Sequence, residues 1–138
     1  MFDDLLRRGE IRRLPPDPRQ VADALGIAKR DAAVARAMLQ GNDDWAYTIA
    51  YNAMLQAVRA IMFSQGFRPA GRNTHMTVVR FAELALPAED AILLDRMRRK
   101  RHASVYDTAG IVSRAEAEAA VARAEEFVAR IEAKLGSR

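Results

Sequence analysis

NDDWAYTIAYNAMLQAVRAIMFSQG, residues 42–66, decides how this chain folds. Successive residues of an α-helix turn by about 100°. Trp45, Ile49, Ala53, Ala57, Ala60 and Ile61 then fall on one side, and Tyr47, Tyr51, Met54, Leu55, Val58 and Met62 on another. A helix that is apolar nearly all round belongs at the centre of a bundle. Asn42 is placed to cap it and Gly66 to end it. Asn52, Gln56 and Arg59 become polar groups in a mostly buried element, so each needs a partner.

The flanking sequence supplies helices to surround it. Asp17-Pro18 opens one, with Asp17 as cap, Pro18 at the first helical position and Gln20 completing a capping-box pattern. Its apolar residues Val21, Leu25, Ala28, Ala32, Ala35 and Leu39 recur every three or four positions, and Gly41 closes it. After the loop FRPAGRN, Thr74 starts a shorter helix that Pro87 breaks near Leu86. Another runs from about Ala88 to Asp107. The turn DTAGIV leads to the last helix, where Ser113 with Glu116 forms a capping box and Ala117, Val121, Ala124, Val128, Ile131 and Leu135 form the core face. No stretch alternates with period two, so no strand is expected. The expectation is an all-α protein: an up-down four-helix bundle with an additional short helix. Residues 1–16 read as an N-terminal arm ending at Pro15-Pro16, and 17–138 as a single bundle.

Composition sets limits on function. The 138 residues suit one domain with a real core. Cysteine is absent, so disulfides and thiolate metal sites are excluded. With only His75 and His102, a histidine-rich metal site is not expected either, and neither is a cofactor. No apolar run is long enough to cross a membrane, and the N-terminus has no apolar signal segment, which points to the cytoplasm. Net charge is +4, from 22 Lys and Arg against 18 Asp and Glu. The distribution says more than the total. Arg7, Arg8, Arg12 and Arg13 cluster early, and a second cluster lies in RMRRKRHASVYD, residues 96–107.

On a helix, Asp95, Arg98, His102 and Tyr106 share one stripe, with Arg99 at its edge. Leu94, Met97, Arg101 and Val105 share a second, core-facing stripe, so Arg101 must reach solvent or find a partner. By spacing alone such a basic run is a solvated face. Its chemistry is nonetheless specific. Arginines can grip a phosphodiester through forked hydrogen bonds. Histidine can move a proton at neutral pH, and tyrosine can orient either group or stack on a base. Together these suffice for RNA cleavage without a metal. His75, next to the expected cap Thr74, reads as a residue that fixes the helix start. The tyrosines of the central helix read as core.

These residues also carry a resemblance. The chain resembles the HEPN superfamily of small helical domains over roughly residues 17–134. The pattern AYTIAYNAMLQAVRAIMF followed by GRNTH looks like that family's central helix and the start of the next. RMRRKRHASVYD looks like its signature of an arginine, four to six residues, then a histidine. Arg96 leaves five residues before His102 and fits that spacing; Arg98 leaves three but lies nearer on the helix face, and both stay open as the signature arginine. The resemblance implies a HEPN-like bundle that dimerises with the signature helices facing across a cleft. It implies a metal-independent ribonuclease, in many prokaryotic members a toxin paired with a nucleotidyltransferase antitoxin. Other members bind a nucleotide or a partner without catalysis.

Residue by residue, Arg96 or Arg98, His102 and Tyr106 carry over as catalytic candidates and Arg99 and Arg101 as RNA or phosphate ligands. Asn52 and Asp95 are the supporting polar groups. In the branch whose tyrosine is modified by the antitoxin, that tyrosine lies two residues after the histidine. Here that position is Ser104, so the chain is more similar to a branch in which three residues separate the His or Asn from the Tyr.

Overall fold

A computed structural model of the chain describes residues 1–136. Its elements are α1 (Asp3–Arg7), β1 (Ile11–Arg13), α2 (Pro18–Met38), α3 (Asp43–Ser64), β2 (Phe67–Pro69), α4 (Thr74–Ala85), α5 (Ala88–His102) and α6 (Arg114–Gly136). Between α5 and α6 lies a π-helical turn, Ala103–Asp107. The fold is an all-α bundle, and α3 is its centre. That helix packs against α2, α6, α5, α4 and β2, and Ala46, Ala50, Ala53, Met54, Ala57, Val58 and Met62 lose all contact with solvent.

The helix boundaries follow local chemistry. The Asn42 side chain accepts from the Trp45 N–H at 2.9 Å and caps α3. Gly66 takes φ +81° at its end, in the left-handed region where a side chain would be strained. Asp17 caps α2 through the Arg19 N–H at 2.9 Å, and Gln20 makes no return bond. Ser113 and Glu116 exchange two bonds of 3.0 Å at the start of α6. The cap of α4 is Asn73, whose side chain accepts from Met76 N–H at 3.0 Å. Thr74, expected to fill that role, is already helical.

Two further features differ from the sequence reading, and the N-terminal arm, whose placement the sequence leaves open, takes a definite one. Short strands exist: β1 pairs antiparallel with β2, Ile11 opposite Pro69, Arg12 opposite Arg68 and Arg13 opposite Phe67. At three residues each they are too short for periodicity to register. Residues 1–16 fold back onto the bundle, with Leu5 and Ile11 in the core and the Phe2 ring stacked on Phe81 at 4.7 Å. The helix expected to run to Asp107 leaves α geometry after His102 and closes with an i+5 bond, Thr108 N–H to Ala103 O at 2.9 Å. Leu94 and Met97 are buried as expected, but the slip turns Val105 outward and Ser104 inward. Asp44, in the first turn of α3, pins the following loop through Gly110 N–H at 2.6 Å and Val112 N–H at 3.2 Å. Among the described residues no helix is long and apolar enough to cross a membrane.

Candidate functional site

A cleft of about 320 Å³ opens where α2, α3, α4 and α5 converge. Arg30, Asp31 and Val34 come from α2, and Thr48, Ile49, Tyr51 and Asn52 from α3. His75 stands in the first turn of α4, and Arg101 near the end of α5. Asp31 is buried at 7% exposure. Its carboxylate accepts from the Asn52 side-chain amide at 2.7 Å and from Arg30 Nε at 3.0 Å. Asn52 thus has the partner that its place in a buried helix demands. The Thr48 hydroxyl oxygen is buried and has no hydrogen bond among the described residues.

Across the cleft the Tyr51 hydroxyl lies 3.2 Å from His75 Nδ1, with the two rings stacked at 5.8 Å. Burial pushes the Tyr51 phenol up to about 12, against the pull of Arg101 and Arg98. Burial also lowers the His75 pKa, and Arg101, Arg98 and Arg59 lower it further. Tyr51 is therefore protonated and His75 neutral at pH 7. The phenol can donate to Nδ1, which leaves the ring proton on Nε2.

The signature stretch adjoins this cleft. Asp95 accepts from Arg98 Nη2 at 3.0 Å and Nε at 3.2 Å, and its other oxygen lies 3.4 Å from Arg99 Nε. Asp95 therefore aims Arg98 at the same time as it offsets its charge. The exposed His102 ring meets Tyr106 at 4.9 Å, and the Arg101 guanidinium lies 5.8 Å from the Tyr106 ring. Arg101 forms no ion pair or hydrogen bond with the described residues, so an uncompensated cation stands at the mouth of the cleft.

Of the sequence-derived candidates, Arg99 lines a different groove with Glu83, Ala91 and Ile92; those that the structure brings to the cleft are Arg101 and Asn52 in its lining, Arg98 and Asp95 near Tyr51, and His102 and Tyr106 in ring contact beside Arg101. Arg96 is not among them. It lines a separate groove toward α6 with Tyr47, Glu116 and Arg123. Six positions past Arg96, His102 has rotated by roughly 120° away from it. Sequence reasoning missed Asp31, Thr48, Tyr51 and His75 as cleft residues. Asp31 had a signal: it falls on the stripe Ala28, Ala32, Ala35, where a carboxylate has no place unless paired. His75 had none, because its contact with Tyr51 spans two helices. Among the described residues no three His, Cys, Asp or Glu side chains gather in a way that could hold a metal ion.

Fold and site together define a small helical bundle with a cation-lined cleft ending in a His–Tyr pair. The sequence model of the HEPN domain matches residues 21–134, and the chain belongs to the HEPN family. No curated protein matches it. Among solved structures it is similar to the crystal structure of TT1696 from Thermus thermophilus, with a TM-score of 0.63 and 24% identity, covering 83% of this chain and 98% of that one. At that identity the likeness speaks for the fold alone.

Proposed function

We propose that the protein is a metal-independent endoribonuclease acting as a homodimer, the toxin of a pair completed by a nucleotidyltransferase antitoxin. The observation that carries this reading is Arg101, uncompensated at the mouth of the cleft and adjacent to the His102–Tyr106 ring pair. Cations beside a proton-transfer group are what phosphodiester transesterification requires. In this reading the ribose 2′-oxygen attacks the adjacent phosphorus and loses its proton to His102. The bond to the 5′-oxygen breaks, and that oxygen takes a proton from the second copy of His102 across the dimer cleft. The products are a 2′,3′-cyclic phosphate and a 5′-hydroxyl.

Arg98, held by Asp95, grips the scissile phosphate. Arg99 and Arg101 draw in the backbone, and Tyr106 orients the imidazole or stacks on a base. Asn52 supports the cleft floor through Asp31. Arg96, on the far groove, fits a role in RNA attraction better than one at the reacting phosphate. The test is cleavage in excess chelator by wild type and His102→Ala; loss of cleavage in a folded variant is the expected result.

A second reading has its own observation. The buried, unbonded Thr48 hydroxyl and the Asp31–Asn52 pair line a cleft of nucleotide size. They suit a module that binds a nucleotide without turnover. That reading predicts intact RNA and a melting temperature raised by added nucleotide.

A further inference from the structure

The early arginine cluster is not used by the cleft, and the β-ribbon gives part of it a definite geometry. Arg12 stands directly opposite Arg68 in the β1–β2 ladder. Side chains so placed have Cβ atoms about 5 Å apart, and like charges there destabilise the pair. Alternation turns Ile11, Phe67 and Pro69 inward and Arg12 and Arg68 outward, where both are exposed. Neighbouring cations have found partners. Arg7 and Arg8 pair with Asp4, Arg80 pairs with Glu10, and Arg13 lies over the Phe67 ring at 5.3 Å. The side chains of Arg12 and Arg68 form no ion pair or hydrogen bond with the described residues. Arg72, exposed in the loop that leads into α4, has none either.

Two guanidinium groups on the same face of a ribbon can both reach the oxygens of one phosphodiester, and an anion between them turns the repulsion into attraction. The ribbon also leads to the cleft. Arg68 precedes His75 by seven residues, which limits their separation to about 25 Å. We propose that the Arg12–Arg68 cross-strand pair is a second phosphate-binding site, which holds the backbone of an RNA strand running to the cleft. It rests on the reading of that cleft as an RNA site.

The test is fluorescence anisotropy of the full chain with labelled single-stranded 2′-O-methyl RNA, which lacks the attacking hydroxyl. Polyglutamate serves as a carboxylate polyanion, and salt is varied. R12Q/R68Q should bind the RNA about tenfold more weakly at low salt. The slope of log affinity against log salt should flatten by about 0.7, the amount expected when one phosphate fewer is neutralised. Its melting temperature should hold or rise, because repulsion is relieved.

Unchanged affinity and slope in R12Q/R68Q, with Arg101→Gln weakened, overturns the ribbon site and leaves the cleft reading standing. Weakening in R12Q/R68Q with Arg101→Gln unaffected supports the ribbon as a phosphate site and overturns both the cleft reading and the strand's run to it. Absence of RNA binding by wild type overturns both. Weakened polyglutamate binding with RNA unaffected assigns the ribbon to an acidic protein and overturns the proposal. A lowered melting temperature assigns the pair a structural role and does the same.

Discussion

Asp31 and His75 show how single residues set the chemistry of the cleft. Asp31 is accommodated in a buried position because Arg30 and Asn52 both donate to it. Asn52→Ala removes one donor and leaves a buried carboxylate oxygen bare, at a cost of about 1–3 kcal/mol, measurable by urea denaturation. His75 binds a proton less readily in the folded chain than in the unfolded one. Above about pH 6.5, where unfolded histidine is also neutral, it contributes no pH dependence. As pH falls below that value the unfolded state takes up the proton first, so stability declines until the lowered native pKa is reached. His75→Gln should remove that component from a melting-temperature profile between pH 7 and 5 (chosen to bracket about 6.5). A profile identical in both proteins contradicts a neutral, half-buried His75. The Asn52 partner of Asp31 and the Tyr51 partner of His75 could not be read from sequence, since each contact joins positions more than twenty residues apart.

At the scale of elements, the helices were legible where their signals are local. Asn42, Asp17, Ser113 and Glu116 cap as their types predict, and α3 is central because its apolar residues cover nearly its whole circumference. What escaped was either too short or against the pattern. The β-ribbon offers three residues per strand. The π-turn after His102 inserts a wider winding into a helix whose composition gives no warning, and π winding is frequent at functional sites. It keeps His102 and Tyr106 in ring contact while swinging Val105 into solvent. Val105→Ser should therefore change stability by less than about 0.5 kcal/mol, whereas Leu94→Ala in the core should cost about 2–5 kcal/mol. Comparable losses from both would show that the helix continues in α geometry and buries Val105.

For the molecule as a whole, the central-helix pattern pointed to the architecture, and the signature stretch contains Arg101, which lines the candidate cleft. The cleft itself is a product of four helices meeting, and no window of sequence contains it. Charge is distributed to match the proposed role. Asp31 and Asp95 offset Arg30 and Arg98, Arg101 is left for a ligand, and the ribbon arginines extend the cationic surface. The homodimer follows from the proposed division of acid and base roles between two copies of His102. Sedimentation equilibrium should give twice the chain mass of 15.4 kDa; a monomer at all concentrations contradicts the shared site.

The most direct test of the proposed ribonuclease is cleavage of RNA in excess chelator by purified wild type and by His102→Ala, with circular dichroism to show that both are folded. The expected result is cleavage by wild type, ending in 2′,3′-cyclic phosphate, and none by the variant. Intact RNA with wild type, or equal cleavage by both proteins, contradicts it.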